Sequence, residues 1–444
     1  MGTLSIREAF ELGINLQAQG KFLEAEEIYK KILEIQPENS EAIHLIGLVK
    51  HQLGKNEDAI ELITEAINIS KDPRFYFNLA TIYDSFGDFE NAIKNFKLVL
   101  ESDKEYDKKS LAAYNLGVFA KENHEVEKAI NYYSKSLQLN PNFADAIWNR
   151  ALLYLFLGDF EKGWKDYSYR FEKANPIKKR KFEKPFWNGE DLNGKRIFVL
   201  CEQGFGDNIQ FVRLTKKLKD LGAYVIFECK GELKSLFENL DYIDEFVEYK
   251  KDFSDFDYVV YLMDIPNFIS LKLEDVKGEK YLFADEKKVG KFSELFDKAY
   301  FNVGISWKGN SLHENDKNRS VRLEFFEKLK NEKIKFYSLQ KDSEENLEKF
   351  GIIDLKDKIN DFSDTSGIIE NLDLVISVDT SIAHLSGALG KKCWVLLPFV
   401  PDWRWLDKRD DSPWYSSVKL FRQKEKGNWE SVFEEVKKEL EKVA

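Results

Sequence analysis

Small residues recur through the first part of the chain at a nearly constant interval. Gly13, Gly47, Ala80, Gly117 and Ala151 are separated by 34, 33, 37 and 34 residues. Seven positions after each of them stands Gly20, Gly54, Gly87, His124 or Gly158, and five positions further Ala25, Ala59, Ala92, Ala129 or Gly163. A period of this length belongs to stacked supersecondary units, not to one globular core. Each unit is expected to be a helical hairpin whose small residues let two helices approach closely. Pro37 and Pro141 close the first and fourth units, where a helix must stop.

The pattern is that of tetratricopeptide repeats, about five of them over residues 1–172. One such hairpin cannot bury its apolar face alone, so the units are expected to stack into a right-handed superhelix with a concave groove. Two uses of the groove stay open: it holds an extended polypeptide or partner protein, or the array dimerises the chain or braces the next domain. The fifth unit departs from the pattern, with Trp164, Tyr167, Tyr169 and Arg170 making a bulky face that is expected to dock on the domain after it. Residues 173–194 read as a linker, and Lys178 to Lys181 with Lys184 as a solvated basic face.

From Arg196 the period changes. Apolar runs of strand length alternate with helical stretches, first over residues 195–299 and again over 300–444, the signature of β-α-β units and parallel sheets. The fold class expected is α followed by α/β, a helical solenoid ahead of two Rossmann-like lobes. The cleft between the carboxyl ends of two such sheets is where doubly wound folds bind ligands. The last segment, Asn428 to Val443, is amphipathic and is expected to fold back on the first lobe.

Composition narrows the function. A net charge of −11 excludes a general nucleic-acid binder, which needs a basic excess to displace counterions from phosphates. The N-terminus lacks a charged segment followed by an apolar one, and no run approaches the roughly 18 apolar residues of a membrane span, so a cytoplasmic protein without a membrane span is expected. Cys201, Cys229 and Cys393 lie in or at the end of apolar runs and read as buried, reduced strand residues.

Three stretches carry chemistry. In the first lobe Glu202-Gln203-Gly204-Phe205-Gly206-Asp207-Asn208 leads from a strand into a helix; Gly204 and Gly206 suit positive φ and close approach of a ligand, and Asp207 is either the helix N-cap or a general base. In the second, the polar loop from Lys308 to Ser320 offers Lys308 and Arg319 to a diphosphate, with His313 beside them; their alternative is surface pairing with Glu314 or Asp316. Gln340 closes a strand where a base or ribose edge would sit. The third, Leu374 to Gly390, is a buried strand turning into a small-residue helix, a ready anion site. There Asp379 is expected to cap the helix, Thr380 and Ser381 to face the ligand, and His384 to contact a diphosphate, as imidazolium or as neutral imidazole. Trp403, Trp405 and Trp414 either face a sugar or pack a loop.

These motifs, GFGDNIQF, WKGNSLHENDKNRS, DTSIAHLSGALGKKCWVLLP and PDWRW, resemble those of GT-B glycosyltransferases of the ADP-heptose:lipopolysaccharide heptosyltransferase type, and the whole chain resembles bacterial tetratricopeptide proteins that carry such a domain. The architecture is also similar to O-linked N-acetylglucosamine transferases, whose repeats hold a polypeptide acceptor. The resemblance implies an inverting transfer of a heptose or hexose from a nucleotide-diphosphate sugar to an acceptor hydroxyl, on a protein held by the repeats. It implies Asp207 as base and Asp379, Thr380, Ser381 and His384 as the donor turn, although the family often has glycine where this chain has Ser381. Lys308, Arg319 and Gln340 would complete the donor side, and Gly204, Gly206, Asn208, His313 and Trp403 the acceptor or loop contacts. None of these motifs contains Asp-x-Asp, so no metal or other cofactor is expected; a homo-oligomer is compatible. The rival from another class is a non-catalytic scaffold with a degenerate GT-B unit; a third reading is a sugar-nucleotide epimerase.

Overall fold

The computed structural model describes residues 4–312 and 315–444, so His313 lies outside the described residues. The chain divides into two compact units, one ending at Arg150 and one spanning Ala151–Ala444. The division falls inside the fifth repeat, before the end of the repeat pattern at 172.

In the first unit the expected hairpins form: Ile6–Ala18 with Phe22–Ile35, Ser40–Gln52 with Asn56–Ile69, Pro73–Ser85 with Phe89–Glu101, and Lys109–Glu122 with Val126–Leu139. The role of the small residues is visible in what they touch. A Cβ on Gly13 would stand 2.3 Å from the Tyr29 ring, one on Gly117 2.5 Å from Tyr133, and one on Gly47 2.6 Å from Ile63. Each of these hairpins is therefore locked by an aromatic or branched side chain of its second helix lying on the backbone of its first. The turns need left-handed backbone, with φ of 76° at Gly20, 77° at Gly54 and 87° at Gly87. His124 takes the same conformation, φ 59°, without glycine's freedom.

The second unit holds two parallel sheets. Strands β1 (Arg196–Leu200), β2 (Tyr224–Cys229), β3 (Glu245–Glu248) and β4 (Tyr258–Tyr261) are ordered β3-β2-β1-β4. Strands β5 (Phe301–Ser306), β6 (Ile334–Ser338), β7 (Ile352–Asp354), β8 (Leu374–Val378), β9 (Cys393–Leu397) and β10 (Val418–Arg422) are ordered β10-β9-β8-β5-β6-β7. Strand order reverses between β1 and β4 in the first sheet and between β5 and β8 in the second. Those switch points leave a crevice beyond the carboxyl ends of the strands, and all three chemistry-bearing stretches begin there.

Several expectations need correction. The helix Trp429–Leu440 packs its apolar side, Val432, Phe433, Val436 and Leu440, into the core of the second sheet with Ile305, Phe336 and Trp394, and not on the first lobe. Phe433 meets the Phe325 and Phe326 rings at 5.2 and 5.0 Å, which gives that face a larger apolar partner. The polar loop from Lys308 to Ser320 leads into a 3-10 segment, Leu323–Leu329. The basic stretch is not a solvated face throughout: Arg180 pairs with the fully buried Glu228 carboxylate, and Lys179 lies 4.8 Å over the Phe186 ring. Residues 173–194 contain no helix or strand, but Phe186 bridges to Val259 of β4.

The expected docking of the fifth repeat is present. Trp164, 2% exposed, meets Tyr167, Phe211 and Trp403 at 5.0, 5.8 and 5.2 Å, while Phe160 stacks on Trp414 at 5.7 Å. The three cysteines are buried and free. Among the described residues no helix is long and apolar enough to cross a membrane.

Because overpacking at a backbone-to-ring contact costs about 1–3 kcal/mol, Gly117→Val should loosen its hairpin. Amide exchange across Lys109–Leu139 should accelerate in the intact chain while that of β1 and β8 stays unchanged; unchanged exchange in the hairpin would contradict the locking role of Tyr133.

Candidate functional site at the switch points

The first half of the site is the loop after β1. Gln203 takes left-handed backbone, φ 59°, and Gly204 begins the helix Phe205–Phe211 with φ −84°. The positive φ expected of the glycines thus falls on Gln203. Asp207 is not the N-cap; it stands at the third helical position, where its Oδ2 accepts a 2.8 Å hydrogen bond from the Gly204 N–H. Asn208 is buried and its Nδ2 donates to the Glu202 and Gly204 carbonyls at 3.0 and 2.7 Å, fixing the loop. A buried guanidinium holds it from below: Arg170 donates to both Glu202 oxygens at 2.9 and 2.8 Å and to Asp264 at 2.6 Å.

The second half is the turn after β8. Thr380, not Asp379, caps the helix Ser381–Ala388, its Oγ1 accepting from the Ile382 N–H at 3.3 Å. The cap goes to the shorter side chain because Asp379 is drawn inward: it is 8% exposed, its backbone oxygen accepts from Arg319 Nη1 at 2.9 Å, and its Oδ1 lies 3.8 Å from His384 Nε2. Burial, then the neighbouring Asp402 charge, pushes its carboxyl up to about 6.

Burial, then the Arg404 guanidinium, pushes the His384 imidazolium down to about 3, so of the two expected forms burial favours the neutral one. Its Nδ1 shares a 3.0 Å hydrogen bond with the Tyr415 hydroxyl and its ring stacks on Trp405 at 5.2 Å. Gly206 explains the ring's position. A Cβ there would stand 2.8 Å from His384 Cδ2 and 3.5 Å from Ser381 Cα, so this glycine admits the helix Ser381–Ala388 and not a ligand.

The two halves are joined by Arg404, in the short 3-10 segment Trp403–Trp405. Its Nη1 donates to Asp402 at 2.8 Å and its Nη2 to Asp207. Trp403, Trp405 and Trp414 are 5, 0 and 1% exposed, so they pack the loop and none offers an open ring to a sugar. Gln340 Oε1 accepts from Ser306 Oγ at 3.2 Å and from the Lys308 N–H at 3.4 Å, tying β6 to β5 at the crevice. Lys308 pairs with Glu345 at 2.8 Å and Arg319 with Asp316 at 3.2 Å. The structure therefore brings together Asp207, Asp379, Thr380, Ser381, His384 and Arg319, with Lys308 and Gln340 on the β5–β6 side. Sequence reasoning missed Asp402, Arg404 and Tyr415 as site residues. Arg404 had a signal, a cation between two tryptophans after a capping aspartate; Tyr415, 31 residues from His384, had none.

The shifts have opposite signs on stability. Native Asp379 holds its proton up to about 6 while the unfolded group releases it near 3.8, so burying the charge costs stability above pH 6, and the cost fades as pH falls from 6 to 3.8. His384 loses stability as pH falls from 6.5 toward 3. Asp379→Asn should thus stabilise the protein by about 1–3 kcal/mol at pH 8 and by much less at pH 4; an equal effect in denaturant titrations at the two pH values would contradict the burial cost.

Models of tetratricopeptide repeats match residues 5–72, 73–106 and 111–143. The chain is 25% identical over 439 residues to Protein FlbA of Caulobacter vibrioides, covering 89% of this chain and 72% of that protein. Since the repeat unit ends at Arg150, this similarity runs through the α/β unit as well. A 55-residue stretch, 12% of this chain and 4% of the relative, is 44% identical to a UDP-N-acetylglucosamine–peptide N-acetylglucosaminyltransferase of Giardia intestinalis. Among solved structures, one of MamA covers 35% of this chain and 91% of its own at 25% identity, with a TM-score of 0.32. The chain thus carries N-terminal tetratricopeptide repeats, followed by an α/β region of parallel sheets.

Proposed function

We propose that the α/β unit is a GT-B glycosyltransferase of the heptosyltransferase type, moving a heptose or hexose from a nucleotide-diphosphate sugar to an acceptor hydroxyl with inversion, and that the acceptor is a protein held by the repeats. The observation that carries this reading is the meeting of two switch-point loops from different sheets, with a carboxylate on one and a helix-opening turn on the other. The diphosphate would lie on the turn Thr380–Ser381, where helix N–H groups and Arg319 favour an anion. The Asp207 carboxylate would take the proton of the acceptor hydroxyl as its oxygen bonds to the anomeric carbon. The bond from that carbon to the diphosphate breaks, and the nucleoside diphosphate departs with the electron pair. Neutral His384 brings no charge to this step, so Arg319, Arg404 and Lys308 are the cations that offset the leaving group. The short similarity to a peptide N-acetylglucosaminyltransferase supports a protein acceptor.

A scaffold with a degenerate transferase unit is favoured by one observation: both Asp207 oxygens already have partners, Gly204 N–H and Arg404. The two readings separate in one experiment. A general base contributes about 10²–10⁴ in rate, so Asp207→Asn should still bind a nucleotide sugar while transfer, followed by mass spectrometry of co-purified proteins, falls by at least about a hundredfold. Unchanged transfer would overturn Asp207 as base, and no calorimetric binding of ADP-, UDP- or GDP-sugars would favour the scaffold.

A further inference from the structure

We infer that Arg404 is a positioning residue that exchanges partners, holding Asp207 when the site is empty and passing to the diphosphate when the donor binds, so that the base is freed only beside a bound donor. The inference rests on the transferase reading and adds an order of events to it. Its starting point is the packing: the two halves of the site meet at Arg404, whose side chain is 8% exposed and reaches from the second lobe to Asp207 of the first.

The guanidinium is built for the exchange. Asp402 holds Nη1 at 2.8 Å, and the Trp403 ring lies 4.4 Å from the guanidinium carbon, so the fork keeps its plane when Nη2 changes partner. Its buried Nε–H has no partner among the described residues, an unusual state for a charged donor that a phosphoryl oxygen would end. A diphosphate offers two charges and paired oxygens against the single charge of Asp207, and Arg binds such groups in bidentate fashion. On release, Asp207 does not swing away. Its Oδ2 remains bonded to the Gly204 N–H at 2.8 Å, and Oδ1 is left to face the acceptor hydroxyl.

Calorimetry on the full chain with ADP, UDP and GDP as probes tests this. Asp207→Asn removes the charge that competes for Arg404 while the amide oxygen still accepts from Gly204, so the fold is expected to survive, with circular dichroism and thermal melting as the check. This variant should bind the preferred diphosphate about tenfold or more tightly than wild type. Arg404→Gln should bind it about tenfold or more weakly, and adding Asp207→Asn to Arg404→Gln should bring no gain. Simple relief of repulsion would tighten binding in the Arg404→Gln background as well, so the absence of gain there is what marks the exchange. Equal or weaker binding by Asp207→Asn overturns the exchange while leaving the transferase reading intact; no diphosphate binding by wild type or Asp207→Asn overturns both. If Arg404→Gln does not fold, Arg404→Lys, which keeps the charge but not the two-armed fork, takes its place in both the single and the double variant.

Discussion

The second unit depends on how closely two helices from different sheets can approach. Gly206 has no side chain, and the His384 ring occupies the space a Cβ would need, 2.8 Å away. That contact sets the loop after β1 against the turn after β8 and brings Arg404 within reach of Asp207. Any larger residue at 206 would push the switch-point loops apart. The same device governs the repeats, where Gly13, Gly47 and Gly117 each admit a side chain of the paired helix. In both units, close backbone approach at glycine sets how neighbouring helices pack.

Charge inside the site is arranged as a chain of shared partners. Arg170 holds Glu202 and Asp264 beneath the loop, Arg404 lies between Asp402 and Asp207, and Arg319 braces the carbonyl of Asp379. Removing one partner from such a buried set leaves an uncompensated charge, which is costlier than the net worth of any pair. The cost protects the geometry of the empty site. Each of these three guanidinium groups already has a carboxylate or carbonyl partner.

Much of this was legible in the residues. The period of small residues revealed the repeats, because each hairpin repeats one packing solution. Apolar runs over residues 195–299 and 300–444 revealed the two parallel sheets, because central strands such as β1, β8 and β9 are buried on both faces. The stretches around Asp207 and Asp379 were legible because strand, turn and helix follow one another locally. What was not legible depended on contacts distant in sequence. The Arg404–Asp207 pair joins residues 197 apart, and the neutrality of His384 follows from burial by Trp405 and Tyr415. The Thr380 cap displaced the expected Asp379 cap for the same reason: Asp379 is held inward by partners far away in the chain. The final helix was misplaced because amphipathicity tells that a helix docks, not on which sheet.

The loop after β1 and the turn after β8 are, in this account, two halves of one ligand site. Hydrogen–deuterium exchange of the full chain with and without saturating ADP, UDP or GDP measures this directly. Amides of residues 202–211 and 379–388 should change protection together with one of the nucleotides. Exchange that stays unchanged in both segments with all three, or that changes in only one of them, would contradict it.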